Sequence, residues 1–303
     1  MKKAIIVTNV TKTDEKFTEQ VDLFVHEARE LGIKLIKLTG DEVLPFVEKN
    51  ARSIHFCLFW DKDTYLCKEI EMHGIPTFNS SKAIAICDDK AYTYLALKYA
   101  DVLQPKTEVL PITFGRNIAS YMEDIKGMVE QIGFPMVVKS RRGSFGEQVY
   151  LAESATDLTT IFARIGTDDL LIQEYIGVHP GEDFRINILG NKFAVGVRRY
   201  NKDDFRSNVN QGGKMYKAFI NHKMRKIAIK ATKAVGADFA GVDVVLGRLG
   251  KPYVIEVNSN MRTVAVEEAS RYRLALKMMK YMLKKARRER KIIKLRVKAK
   301  EFI

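Results

Sequence analysis

Residues 240–258 read Ala-Gly-Val-Asp-Val-Val-Leu-Gly-Arg-Leu-Gly-Lys-Pro-Tyr-Val-Ile-Glu-Val-Asn, two apolar, β-branched runs about a glycine-bounded turn. No other stretch of the chain constrains the fold as strongly, because such a pattern is a half-buried β-hairpin. With the turn centred between Leu249 and Gly250, Asp243 lies directly across from Glu256, and Asn258 shares that face because strand side chains repeat every two residues. Opposed carboxylates repel each other. A divalent cation removes that penalty, and oxygen-only ligands suit Mg²⁺ held partly by substrate phosphates. Taken alone, the two acids equally describe a solvated strand face.

The region before the hairpin divides by its pattern. Ala4 to Val7, Ile33 to Leu38, Ile54 to Phe59 and Ile75 to Phe78 read as buried strands, with helical spacing over Phe17 to Leu31 and around Thr64 to His73. This β, α, β alternation predicts an open parallel α/β domain over 1–85. A helix from Asp88 to about Tyr99, a strand near Thr107 to Leu110 and a helix around Ile118 to Ile132 open a second lobe, 86–178. Its hairpin (Met136 to Lys139, a turn at Arg141 to Gly146, Gln148 to Ala152) is followed by a strand at Leu170 to Ile176. The third lobe, 179–303, has strands meeting at Gly190-Asn191, a helix from about Lys223 to Val235, the hairpin above and a basic tail.

Several polar groups punctuate these strands. Lys139 ends an apolar strand before Arg141-Arg142-Gly143-Ser144-Phe145-Gly146, where glycines let backbone N–H groups approach phosphate and the lysine adds a point charge. The spacing is not that of a Walker A loop, and an ordinary β-turn reads the same way. Gln173-Glu174-Tyr175-Ile176 ends a strand between two lobes, either presenting backbone groups to an adenine edge or simply closing that strand. Asp183 and Arg185 share a strand face, suited to ribose hydroxyls or to a surface ion pair. Asp204-Phe205-Arg206-Ser207-Asn208, near Gly212-Gly213, is a polar loop whose guanidinium suits phosphate or an acyl phosphate, or is merely solvated. The five histidines show no H-E-x-x-H spacing and no G-x-S-x-G elbow occurs, which disfavours zinc hydrolysis and serine-nucleophile chemistry.

In this order, Asp89-Lys90, the strand ending at Lys139 with its glycine turn, Gln173 to Ile176, Gly181-Glu-Asp183-Phe-Arg185, Asp204 to Asn208, Gly241-Val-Asp243 and Glu256-Val-Asn258 resemble the ATP-grasp superfamily. The nearest likeness is to its RimK-like carboxylate-amine ligases, over roughly residues 50–268. The resemblance implies an α/β protein of ATP-grasp fold with an N-terminal pre-ATP-grasp domain and two lobes closing over ATP. It implies that Lys90 and Lys139 contact ATP phosphates beneath the turn formed by Gly143, Ser144 and Gly146. Gln173, Glu174, Tyr175 and Ile176 would hold adenine, with Asp183 on ribose and Arg185 and Asn208 completing the nucleotide contacts. Arg206 and Lys139 would be catalytic, offsetting charge on the transferred phosphate. Asp243, Glu256 and Asn258 would bind two Mg²⁺ ions, with Mn²⁺ as the alternative. A carboxylate would attack the γ-phosphate and an amine would then displace phosphate from the acyl phosphate.

One stretch departs from the family: Ser259-Asn260-Met261-Arg262-Thr263 stands where a small Pro-Gly loop is usual. Arg262 there either meets an acidic substrate group or pairs with Glu267 or Glu268. The rival expectations are a non-catalytic ATP-binding or interaction module that keeps the fold, and a nucleic-acid binder working through the tail.

Charge bears on that last reading. The chain of 303 residues carries +14, yet residues 1–89 are net −3, 90–269 are +5 and 270–303 are +12. Tyr272, Leu276, Met279 and Leu283 have helical spacing and are expected to pack on the C-terminal lobe, whereas from Lys291 onward the alternation predicts a half-buried basic strand. That tail is either a solvated face or a docking surface for an acidic protein or nucleic acid. Cys57, Cys67 and Cys87 form no C-x-x-C pair, the N-terminal apolar run is too short for a signal-peptide core, and no apolar stretch of about 18 residues occurs. A cytoplasmic protein with no membrane span is expected, with self-association left open.

Overall fold

The computed structural model describes residues 1–11, 14–143, 146–166, 169–208 and 212–300, the last eleven of them, 290–300, as backbone. The N-terminal part is β1 (Lys2–Thr8), α1 (Glu15–Glu30), β2 (Ile33–Thr39), α2 (Gly40–Asn50), β3 (Ile54–Trp60), α3 (Thr64–Met72) and β4 (Thr77–Phe78). Its strands form an all-parallel sheet in the order β2-β1-β3-β4, as the alternating pattern predicts. The sequence reading lacks α2, which starts at a capping box formed by Thr39 and Glu42.

The predicted helix from Asp88 to about Tyr99 is α5 (Lys90–Tyr99), and it is preceded by α4 (Ser81–Asp88), which the sequence pattern does not reveal. Asp89 breaks the run because its carboxylate caps α5, accepting from Ala91 N at 2.8 Å and Tyr92 N at 3.3 Å. The predicted helix at 118–132 is interrupted, leaving a 3₁₀ turn at Ile118–Tyr121 and α6 (Lys126–Ile132). A second sheet is built from β5 (Thr107–Val109), β6 (Met136–Ser140), β7 (Val149–Ala152) and β8 (Leu170–Glu174), antiparallel in the order β5-β8-β6-β7, with α7 (Ala155–Ile165) between β7 and β8. This sheet has its own core, including Met136, Val138, Leu158, Phe162 and Ile172.

The third sheet is antiparallel, β11-β10-β9-β12-β13, made by β9 (Glu182–Leu189), β10 (Lys192–Tyr200), β11 (Lys214–Lys217), β12 (Phe239–Leu246) and β13 (Pro252–Asn258). α8 (His222–Ala234) covers one face. α9 (Thr263–Ser270) and α10 (Leu274–Lys300) follow. The expected basic strand after Lys291 is corrected: the backbone stays helical to Lys300. The buried stripe of α10 contains the predicted one, with Leu276 and Met279 buried and Tyr272 and Leu283 packed against the core, and is wider than predicted. Leu274, Ala275, Met278, Met279, Met282 and Ala286 enter a core that joins the first sheet (Ala4, Ile6, Trp60, Phe78) to the third (Val195, Val197, Phe239).

Asn79 fastens the same two sheets. It is fully buried, its Nδ2 donates to Phe239 O (2.9 Å) and Ser259 O (2.8 Å), and its Oδ1 accepts from Asp238 N (2.6 Å) and Phe239 N (3.2 Å). All four hydrogen-bonding positions of the amide are thereby used.

Candidate active site

A cleft of about 960 Å³, counting the solvent at its mouth, opens between the second and third sheets. Its walls bring together Lys90, Lys139, Gly143, Gly146, Gln173, Glu174, Tyr175, Ile176, Asp183, Arg206, Asn208, Asp243 and Glu256 from the sequence-derived set. Arg185 and Asn258 do not line it directly; they stand behind Asp243. Ser144 lies outside the described residues.

The roof is the β6–β7 turn. Lys90 Nζ donates to Gly143 O at 3.1 Å, and Lys90 N donates to Arg141 O at 2.9 Å. Arg141 pairs in turn with Asp89 (Nη2 to Oδ2, 2.7 Å), so the α4–α5 junction holds the base of the turn. Arg206 Nη1 donates to Gly146 O (2.9 Å) and its Nη2 to Asp204 Oδ2 (2.6 Å), which ties the 204–208 loop to the roof. Gly146 has φ +75°, and a Cβ there would come within 2.9 Å of Asn208 Oδ1.

Lys139 reaches the cleft from β6 and donates to Gln173 Oε1 at 2.7 Å, while Gln173 Nε2 donates to Thr107 Oγ1 at 2.8 Å. Burial lowers the Lys139 ammonium to a pKa of about 8 and nearby Lys90 pushes the same way, with Glu256 and Asp243 opposing. Behind Glu174, whose backbone N donates to Lys106 O at 2.8 Å, Tyr175 meets Phe205 edge to face at 6.1 Å.

The floor is ionic. β12 and β13 set Asp243 opposite Glu256. Arg185 holds Asp243 through two bonds, Nε to Oδ1 at 2.8 Å and Nη2 to Oδ2 at 2.7 Å. Arg199 donates from Nε to Asp183 Oδ1 at 2.7 Å and lies 2.9 Å from Asp243 Oδ2 through Nη2. Burial by itself would raise the Asp243 carboxyl, but the two guanidinium groups hold it down to about 2. Arg199 is the site residue that the sequence reading lacks. A register shift between Phe193 and Val195 places Arg199, not Arg198, across from Asp183.

The floor offers oxygen donors of the kind a divalent cation takes. Asp243 Oδ1 has one described donor, leaving a lone pair, whereas Oδ2 accepts from Arg185, Arg199 and Asn258 Nδ2 (3.3 Å). Asn258 consequently has its Oδ1 as the acceptor, and Glu256 faces the cleft. Among the described residues no group of three or more His, Cys, Asp or Glu side chains forms a metal cage. Asp243 and Glu256 are the oxygen donors that meet the cleft, enough for a hard cation only when phosphates and water complete its shell, and Asn258 stands behind Asp243.

Arg262 is half-buried beside Arg185 and Arg199, with Asp14 as the opposing charge; burial and the two arginines lower its pKa. Glu267 Oε1 accepts from the N–H of Ala275 at 2.7 Å. The three cysteines are free thiols and mainly burial raises each, Cys87 to about 12, which suits packing and not reactivity. Among the described residues no helix is long and apolar enough to cross a membrane.

Residues 98–282 match the RimK-like ATP-grasp domain. A probable alpha-L-glutamate ligase of Legionella pneumophila is 33% identical over 229 residues, 74% of this chain and 72% of the relative. A D-alanine–D-alanine ligase of Bacillus anthracis, solved in complex with ATP, superposes with a TM-score of 0.73 at 19% identity over 95% of this chain and all of that one. A RimK domain ATP-grasp protein of Sphaerobacter thermophilus superposes with a TM-score of 0.66 at 16% identity, over 92% of this chain and 98% of that one.

Proposed function

Because the chain belongs to the RimK-like ATP-grasp family, we propose that its cleft joins a carboxylate to an amine at the expense of ATP, through the residues described above. The observation that carries this reading is the convergence of Lys139, the β6–β7 glycine turn, Asp243 and Glu256 on one cleft between two antiparallel sheets. Lobes spanning 1–85, 86–178 and 179–303 correspond to the pre-ATP-grasp domain and the two nucleotide-closing lobes.

Lys90 and Lys139 bind the phosphates under the turn, and Glu174 to Ile176 hold the adenine. Gln173 fixes the Lys139 ammonium, and Asp183, which lines the cleft while paired with Arg199, is the carboxylate assigned to the ribose. Asp243, Glu256 and Asn258 would hold Mg²⁺, which supplies charge neutralisation at the phosphates. In the first step a substrate carboxylate oxygen forms a bond to the γ-phosphorus while the bond to the β-bridging oxygen breaks, giving ADP and an acyl phosphate. Lys139 and Arg206 offset the charge on the transferred group. In the second step the amine nitrogen bonds to the acyl carbon, phosphate leaves and the ammonium proton is lost to solvent. No protein nucleophile is required. A cytosolic setting, with its ATP supply, goes with this chemistry.

We assign glutamate as the amino-acid substrate. The name of the Legionella relative supports it, as does Arg262, a half-buried cation beside the floor in the stretch that departs from the family's Pro-Gly loop.

The test is release of ADP and phosphate from ATP and Mg²⁺ against pooled amino acids and acidic peptides, with Asp243→Asn and Glu256→Gln as controls. Glutamate-dependent release that both variants lack is expected. Full activity in either variant overturns the metal assignment; stimulation by other amino acids and not by glutamate overturns the substrate; ATP binding without stimulation by any pool overturns the ligase reading.

A further inference from the structure

We propose that the outer face of α10 is a docking surface for the phosphate backbone of a nucleic acid, independently of the ligase reaction. Arg273, Lys277, Lys280, Lys284 and Arg287 recur at alternating steps of four and three residues and are all exposed. The opposite face, from Leu274 to Ala286, is spent on the core that joins the first and third sheets. At about 1.5 Å per residue this spacing sets one cation roughly every 5 Å along a straight line. Glu27 and Glu30 take up Arg273, so the exposed run begins at Lys277. The sequence continues the same spacing at Lys291, Lys294 and Lys298, over a backbone that remains helical to Lys300.

The chemistry of the face selects among polyanions. A helix that lies on a membrane needs an apolar face to insert, and from Leu274 to Ala286 that face is buried in the core. An acidic protein partner would be met by aromatic or apolar anchors at the centre of the contact, and the run from Lys277 to Arg287 places none on this line. What remains is a uniform row of point charges, set in a segment of net charge +12 at the end of a chain whose first 89 residues are net −3. A polymer that carries one negative charge per about 1.7 Å of duplex axis matches it, and binding is driven by counterion release.

Fluorescence anisotropy of the full chain with labelled RNA and DNA duplexes, with poly-L-glutamate and with phosphatidylserine vesicles tests this. The duplexes are expected to bind with a log–log salt slope of about −3.6 or steeper, as four phosphate contacts require. The variant K277E/K280E/K284E/R287E should lose about tenfold or more of that affinity with an unchanged melting temperature. The fourfold glutamine variant reads the same loss should charge reversal disturb folding. The RNA and DNA arms identify the duplex. Salt-insensitive binding, equal binding by the variants, or tighter binding of poly-glutamate or vesicles at the same salt would overturn the proposal.

Discussion

Lys139 is a cation in a place that disfavours cations, and that mismatch makes it responsive to pH. Its folded pKa of about 8 lies below the ordinary 10.5. The unfolded chain therefore holds the proton between those values, and the burial penalty is full below pH 8 and relieved as pH rises toward 10.5. Nucleotide affinity should move the opposite way, falling as pH rises through about 8 when the ammonium loses its charge. Titration with a fluorescent ATP analogue between pH 7 and 9.5 checks this, and Lys139→Arg should flatten the profile. Arg199 makes a different prediction. Arg199→Met leaves Asp183 and Asp243 with one guanidinium between them, at a cost of about 3–5 kcal/mol, measurable by urea denaturation. Of these two residues only Lys139 was legible in the sequence, because it ends an apolar strand beside a glycine turn. Arg199 was not, because one extra residue at Ala194 decides which arginine of β10 meets Asp183.

Strands and helices show the same division. The Asp243–Glu256 pairing is as read from the hairpin, but two departures from the assumed geometry cancel in producing it. The tip is centred on Leu249, with φ +56°, and a bulge at Ile255 restores the register that the assumed turn would have given directly. The end of α10 read as a strand because Ile293, Leu295 and Val297 alternate with basic residues, yet continuity with a helix already buried on the core outweighs a short alternation. Gly181 is where an element depends on one residue. Its φ is +70°, and a Cβ would stand 2.1 Å from Asn201 O and 2.7 Å from Asp204 O, both backbone. Gly181→Ala should cost about 1–3 kcal/mol and weaken ATP binding by displacing the 201–208 loop, as a thermal melt and an ATP titration would show.

For the molecule as a whole, the parallel first sheet and the antiparallel hairpins were legible because each buries its pattern locally. The partnership of the first and third sheets was not, since it rests on contacts across 160 and 180 residues from Asn79 and on the stripe of α10. Asn79→Asp replaces the two N–H donors facing Phe239 O and Ser259 O by a buried acceptor, and should cost more than about 2 kcal/mol, read as a lowered denaturation midpoint. The second sheet, by contrast, has a core of its own and meets the third mainly around the cleft. The consequence is mechanical. Two of the three sheets share one core, so ligand entry and exit are expected to move the second, four-stranded sheet against that pair as one plate.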